Sequence, residues 1–147
     1  MKNLIVVTGL IVLSSLLGCN ESDEYLKTLK DREIINLSMK QLTDVIVHDI
    51  FSPPVASRIY SYSSIAAYEA MRAGQPTQFR TLAGQITDLK EVPAPENEDI
   101  NFNLASIHAF LTVGTALIFS EDKMKDYQSN LYEKLDEKGL PSSVKKA

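Results

Sequence analysis

The stretch FSPPVASRIYSYSSIAAYEAMRAG, residues 51–74, predicts one long helix with a defined start and a defined end. Ser52 can cap the first turn through its hydroxyl, and Pro53 suits the first helical position, where a missing N–H costs nothing. Gly74 suits the left-handed residue that follows many helices, and Pro76 keeps the helix from resuming. We therefore expect a rod between these two ends, around which the rest of the chain is arranged.

The body of this helix consists mostly of small and aromatic side chains. Small residues on several sides allow other helices to approach closely. Tyrosines supply buried area, and their hydroxyls need hydrogen-bond partners. We therefore predict a central helix with neighbours around it. The small residues are Ala56, Ser57, Ser61, Ser63, Ser64, Ala66, Ala67 and Ala70, and the tyrosines are Tyr60, Tyr62 and Tyr68.

Three other stretches carry helical patterns. Residues 24–49 hold an apolar stripe, and their first turns are expected to form a separate short helix because no strong cap precedes them. Residues 101–119 are apolar nearly all round, which is typical of a buried helix. Residues 120–138 begin with Ser120 as a cap and carry a second stripe. The stripes are Ile35, Met39, Leu42 and Ile46, and Met124, Tyr127, Leu131 and Leu135.

The connection over residues 75–100 is long. Apolar side chains in it step by three, four and three, which predicts a short amphipathic helix, whereas PAPENED at residues 93–99 breaks any helix. Residues 142–147 indicate the cap and first turn of a further helix. The sequence therefore predicts an all-α fold over residues 26–147, a partial bundle of about four main helices that is incomplete. The stepping residues are Phe79, Leu82, Ile86 and Leu89.

Residues 1–19 have the pattern of a bacterial lipoprotein signal peptide. Lys2 precedes an apolar run, residues 4–18, that is too short for a membrane span, and the run leads to Leu-Leu-Gly-Cys, which resembles a lipobox. We expect cleavage before Cys19, lipid on that cysteine and a polar tether over residues 20–25. The alternative is an uncleaved helix with an incidental cysteine.

The expected location is therefore the bacterial cell envelope, with the protein bound to the membrane through lipid on Cys19. Asn20 rather than an aspartate follows that cysteine, so the outer membrane is expected rather than retention at the inner one. The chain has 147 residues, a net charge of -4 and one cysteine. These values allow one ordinary domain, exclude an intrachain disulfide and give nucleic-acid binding no electrostatic support.

A longer segment, LTDVIVHDIFSPPVASRIYSYSSIAAYEA at residues 42–70, resembles the N-terminal helical region of bacterial vanadium-dependent haloperoxidases. The matching parts are HDIFSPPVASRIY and IAAYEA, and GLPSSVKKA at residues 139–147 resembles the lead into a further helix of that family. These enzymes belong with the type 2 phosphatidic acid phosphatases. The resemblance implies that the chain is the N-terminal scaffold portion of a lipid-anchored protein of this kind.

The family holds vanadate or phosphate with a lysine and arginine segment, a Ser-Gly-His segment and an arginine and histidine segment. None of these motifs occurs in this sequence, so no catalytic, cofactor-binding or metal-binding residue carries over. The resemblance implies that vanadate or phosphate binds residues beyond Ala147 and that this chain alone is inactive. The expected partners are the missing C-terminal helices or a second copy. The resemblance does not distinguish a parent protein that uses vanadate from one that hydrolyses phosphate esters.

Four polar residues of the first two long helices have structural interpretations. His48 and Asp49 close the first helix and are expected to hydrogen-bond the turn into residues 52–54, with a metal or acid–base pair as the alternative. Glu69 is expected to form a structural ion pair that holds helices together rather than to act as a catalytic carboxylate. Its partner is Arg72, three residues away on the same face, or Arg58.

His108 lies within the apolar stretch of residues 101–119. It shares a face with Leu104 and Leu111, and a lone histidine on such a face is usually a satisfied core residue. We therefore expect it in the core rather than as a metal ligand, since no second ligand stands at a matching spacing.

Two other functions remain open from the sequence. The first is that the chain is a complete small helical lipoprotein that acts as a binding or assembly module. The second function is that of a surface lipoprotein that captures glycans. Such proteins usually bind sugars with exposed aromatic residues, often tryptophan, and the sequence contains no tryptophan. The scaffold interpretation is therefore preferred.

Overall fold

The computed structural model describes residues 24–95 and 100–146, and within these ranges the regular structure is entirely helical. The predicted all-α class is therefore confirmed. No helix in this part of the chain combines the length and apolar character needed to cross a bilayer. The predicted signal peptide and Cys19 lie outside the described residues. The helices are α1 (Glu24–Lys30), α2 (Arg32–His48), α3 (Pro53–Ala73), α4 (Phe102–Ala116), α5 (Glu121–Glu137) and α6 (Ser142–Lys146).

The centre of the fold is α4, which packs along α3 and also contacts α1, α2 and α5. The prediction of α3 as the central helix is therefore wrong, because α3 packs mainly against α4. At Gly114 of α4 the approach is so close that an added methyl group would lie 3.3 Å from Leu42 and Ser63. Burial of one large apolar side chain contributes about 1.5–3 kcal/mol, so the core between these helices dominates stability. Its most deeply buried large side chains are Phe110, Leu42, Leu111, Met124 and Leu135.

Leu42 and Ile46 of the predicted α2 stripe are buried, but the first half of the buried face differs from the prediction. Ile34 and Ser38 are buried, whereas Ile35 and Met39 are only half buried. The Ser38 hydroxyl donates to the carbonyl of Ile34 at 2.9 Å and lies 3.3 Å from the hydroxyl of Tyr127. A small polar residue at this position therefore leaves room for the tyrosine of α5.

The start of α3 differs from the predicted cap. Pro53 occupies the first helical position, but the side chain of Ser52 makes no capping bond. A cap hydroxyl bonds the second or third N–H of a helix. Here the second residue, Pro54, has no N–H, and the N–H of Val55 donates to the carbonyl of Ser52 at 3.0 Å. The backbone of Ser52, rather than its hydroxyl, therefore begins the helix.

The end of α3 also has a different cause. Gly74 has φ −75°, so it is not the left-handed residue that the sequence suggested. A methyl group added at Gly74 would lie 2.5 Å from the ring of Phe102. Glycine is therefore required by the close contact between the end of α3 and the start of α4.

The predicted amphipathic helix between α3 and α4 is wrong, because residues 75–95 form turns. Gly84 and Asp88 have φ angles of 76° and 70°, which no right-handed helix tolerates. The N–H of Gly84 donates to the carbonyl of Leu89 at 2.7 Å and closes a turn. Ile86 and Leu89 of this segment lie beside side chains of α3 and α4, whereas Phe79 is 46% exposed.

The remaining boundaries differ by a few residues. Helix α1 begins at Glu24, so the last two residues of the predicted tether are helical, and Asp31 caps the separate α2 by accepting from the N–H of Glu33 at 2.9 Å. Helix α4 begins after Asn101, whose side chain accepts two N–H groups, and ends at Ala116, before the predicted end at residue 119. Helix α6 occupies the predicted further turn.

Candidate functional site

Asp49 joins the end of α2 to the start of α5. Its carboxylate accepts hydrogen bonds from the N–H groups of Phe119 and Ser120, at 2.9 and 3.0 Å, and from the Ser120 hydroxyl at 2.5 Å. The expected bonds to the turn at residues 52–54 are therefore wrong. The physical reason is that the free N–H groups before α5 lie at the positive end of that helix and attract the carboxylate.

The ionisation of Asp49 follows from these contacts. Desolvation by itself would raise the pKa of this carboxyl. The hydrogen bonds from Ser120 and Phe119, together with the charge of His48, outweigh it and hold the pKa below its usual value of 3.8. Asp49 is therefore a negatively charged anchor near neutral pH.

An exposed apolar corner surrounds this anchor. Ile50 has φ 56° and is 88% exposed, a rare conformation for a β-branched residue. Val47 and Phe119 are exposed as well, and Phe119 stacks on Phe51 with ring centroids 4.8 Å apart. Val47, Ile50 and Phe119 are therefore large apolar side chains left exposed at this corner.

Glu69 is the most buried charged residue described, at 3% exposure, and it ties α3 to the following loop. Its carboxylate accepts from Arg72 Nε and the Thr81 hydroxyl, each at 3.0 Å, and from the N–H of Leu82 at 2.5 Å. The ion pair itself lies within α3, and the bonds from Thr81 and Leu82 join this helix to the loop rather than to another helix. Glu69 thus accepts three hydrogen bonds from its own fold, which supports a structural role.

A large open groove, of about 710 Å³, runs beside this cluster between α3, α4 and the loop. Its floor is made of alanines of the two helices, and its walls are apolar residues of the loop. Tyr62 at one end is 51% exposed, and Ile86 in the wall is 37% exposed. The floor residues are Ala66, Ala70, Ala73, Ala105 and Ala109, and the wall includes Ile86, Leu89, Val92, Pro93 and Pro95.

His108 does not lie in the core as expected, but is exposed. Its Nδ1 lies 2.9 Å from the Tyr132 hydroxyl and 3.1 Å from the Gln128 amide nitrogen. An amide nitrogen only donates, so Nδ1 is the acceptor. Burial raises the pKa of Tyr132, which keeps its hydroxyl protonated. These hydrogen bonds connect α4 to α5. His108 is exposed because its partners, Tyr132 and Gln128, lie on α5.

The described residues do not suit a metal or an oxyanion cofactor. Within residues 24–95 and 100–146, no group of three or more His, Cys, Asp or Glu side chains could hold a metal ion. Vanadate needs arginines to clamp its oxygens and a histidine to bind it. No arginine lines the cavities beside His48 and His108, and the cavity at His48 also contains Asp44 and Asp126. We therefore assign no chemical step to this chain.

Sequence reasoning identified the pair Glu69 and Arg72 but missed its other partners. Thr81 and the N–H of Leu82 lie twelve and thirteen residues further along, beyond any helical spacing. The groove was missed because the alanines were read as general contact surface. A signal was present in their spacing, since Ala66, Ala70 and Ala73 recur every four and three residues.

The chain is similar to one solved structure in particular, a bacterial vanadium-dependent iodoperoxidase. The identity is 40% over 73% of this chain, with a TM-score of 0.68, and the match covers 26% of the solved chain. No protein-family model and no curated protein matches the sequence. The similarity supports the resemblance of residues 42–70 to the haloperoxidase superfamily. The chain spans about a quarter of the length of the iodoperoxidase that it matches.

Proposed function

We propose that this chain is the N-terminal scaffold portion of a lipid-anchored protein of the vanadium haloperoxidase and type 2 phosphatidic acid phosphatase superfamily. The observation that carries the proposal is the similarity to the iodoperoxidase, with 40% identity and a TM-score of 0.68. The match covers only 26% of that solved chain. Vanadate or phosphate would bind residues that this chain does not span.

The polar clusters of the chain support a scaffold role. Asp49 and Glu69 are each saturated by hydrogen bonds from their own fold, and the bonds of His108 hold α4 against α5. A catalytic acid or base needs a free side facing a substrate. These groups therefore hold helices and loops in place and leave the chemistry to other residues.

The membrane anchor belongs to the same proposal. Lipid on Cys19 would hold the protein at the outer membrane of the cell envelope, with α1 beginning five residues later. Labelling of cells with an alkyne-modified palmitate tests this step. We expect label on the wild-type chain and none on the Cys19→Ser variant. An unlabelled wild-type chain that keeps residues 1–18 would contradict the anchor.

A chimera tests the scaffold role. Residues 24–146 replace the matching segment of the iodoperoxidase, and iodide oxidation is measured with added vanadate. We expect no oxidation by this chain alone, and oxidation by the chimera within about tenfold of the parent enzyme, a loss of about 1.4 kcal/mol in transition-state stabilisation. A folded chimera without activity would contradict the proposal, and so would activity of this chain alone.

A further inference from the structure

We propose that the open groove between α3, α4 and the loop receives an apolar α-helix from the part of the protein that this chain does not span. The inference rests on the proposed function. The matched iodoperoxidase is about four times as long as the matched region, since the match covers 26% of it. Most of a similar chain is therefore available to cover this face.

The floor of the groove has the form that a third helix requires. Ala66, Ala70 and Ala73 form a row along α3, and Ala105 and Ala109 form a parallel row on α4. The distance between packed helix axes, about 8–10 Å, depends on the side chains at the contact, and a small side chain such as alanine allows a close approach. Two adjacent alanine rows on packed helices form a shallow surface on which one more helix can pack.

The length of the groove sets the length of its occupant. The lining residues of α3 extend from Tyr62 to Ala73. With a rise of 1.5 Å per residue, eleven steps correspond to about 16 Å, or three helical turns. An extended peptide would instead need unpaired strand edges, and the described residues contain no strand. A helix of at least three turns therefore fits best.

The loop wall is held in place before any partner binds. Glu69 accepts from Thr81 and Leu82, and the Tyr68 hydroxyl donates to the carbonyl of Arg80 at 2.8 Å. Gly84 closes the turn that carries Ile86. Because these bonds already fix this part of the wall, little conformational entropy is lost when a partner binds. Burial of its half-exposed apolar side chains then contributes favourable free energy.

The lining also sets the chemistry of the occupant. Among the described lining residues, Glu69 and Asp88 are charged, and Glu69 is already paired. An apolar helix face with few acidic groups therefore matches the floor. A carboxylate placed in the floor would be buried without a partner once the helix docks, and this is strongly unfavourable.

Ala70→Glu tests the proposal, because Ala70 lies in the floor but is only half buried in this chain. Ser129→Glu is the matched control, on an exposed position of α5. In the chain alone, both variants should keep wild-type helicity and melting. In the chimera, Ala70→Glu should lower iodide oxidation by at least about tenfold and lower the melting temperature. Ser129→Glu should change neither.

Three outcomes would overturn the proposal. The first is an active chimera that tolerates Ala70→Glu as well as Ser129→Glu, which leaves the proposed function standing but the groove open. The second is a dimer of this chain that Ala70→Glu dissociates while the chimera tolerates it, which assigns the groove to a second copy. The third combines two results: the wild-type chain binds an apolar dye that the Ala70→Glu variant does not bind, and the chimera tolerates Ala70→Glu. This outcome assigns the groove to a small molecule.

Two further results separate misfolding from the docking defect. If Ala70→Glu unfolds the chain alone, Ala70→Leu adds volume without charge and should impair only the chimera. An unsubstituted chimera that folds but lacks activity contradicts the proposed function itself.

Discussion

At the scale of single residues, Asp49 shows how one carboxylate connects helices that are far apart in sequence. It ends α2 and accepts the N–H groups of residues 119 and 120, seventy positions later. The negative charge lies at the N-terminal end of α5, where the helix dipole favours it. The next residue, Ile50, has a left-handed conformation with φ 56°.

Replacement of Asp49 should make the stability of the fold depend less on pH in the acidic range. The pKa of Asp49 is lowered from 3.8 by folding, so its charge stabilises the fold above that pH. This contribution is lost as the pH falls through the lowered pKa. We expect Asp49→Asn to lower the melting temperature at neutral pH, and the difference from wild type to shrink towards about pH 2.

Asp44→Asn is the control for this prediction. Asp44 forms an exposed pair with Lys40, with side chains 55% and 68% exposed, and such pairs contribute little. Melting curves of both variants between neutral and acidic pH decide the point. A constant difference for Asp49→Asn at all pH values would show that its charge is not what stabilises the contact.

Glu69 should be the costliest polar residue to remove. Glu69→Ala leaves Arg72 unpaired at 19% side-chain exposure and frees the N–H of Leu82. Loss of one partner of a buried pair costs about 3–5 kcal/mol. We expect a destabilisation near the lower end of this range in urea unfolding, together with faster hydrogen exchange at the Leu82 amide.

An exposed pair gives the comparison for Glu69. Lys125 and Glu121 lie 2.7 Å apart, but their side chains are 62% and 51% exposed. Lys125→Ala should cost less than about 1 kcal/mol. Equal effects of Glu69→Ala and Lys125→Ala would mean that the buried cluster adds no stability to the loop.

At the scale of the elements, periodicity predicted the helices well and the connections poorly. The stripe Met124, Tyr127, Leu131 and Leu135 lies on the inner face of α5, because this face alone is apolar. Residues 79–89 carry a similar spacing but form turns. There, the hydrogen bond that the N–H of Leu82 donates to Glu69, thirteen residues away, and positive φ angles at Gly84 and Asp88 override the local pattern.

Gly74 is an element-scale prediction, since it sets the approach of α3 to α4. In Gly74→Ala the new methyl group would lie 2.5 Å from the ring of Phe102, and such overpacking costs about 1–3 kcal/mol. The double variant Gly74→Ala/Phe102→Ala should lose less than the sum of the single variants. Urea unfolding of the four proteins measures this coupling.

Gly114→Ala provides the contrast within the same helix pair. Its methyl group would lie 3.3 Å from Leu42 and Ser63, a contact that small shifts relieve. The higher helix propensity of alanine, worth about 1 kcal/mol, offsets part of the cost. A larger loss for Gly114→Ala than for Gly74→Ala would contradict the assignment of Gly74 to the contact with Phe102.

At the scale of the whole molecule, the sequence predicted the fold class but not the place of α3. This helix packs mainly on α4, and α4 is the helix with neighbours around it. The resemblance at residues 42–70 indicated a scaffold, and the similarity to the iodoperoxidase supports that resemblance. The groove depends on where the loop after α3 folds back, which is set by tertiary contacts of Glu69 and Tyr68. No local pattern encodes such contacts.

The central claim is that the alanine floor of α3 becomes buried in the complete protein. Thiol labelling of Ala70→Cys measures this directly, with Cys19→Ser in the chain and the cysteines of the iodoperoxidase removed from the chimera. We expect rapid labelling in this chain alone and labelling at least about tenfold slower in the chimera, because a covered site reacts only when it opens. Equal rates in the two proteins would contradict the account.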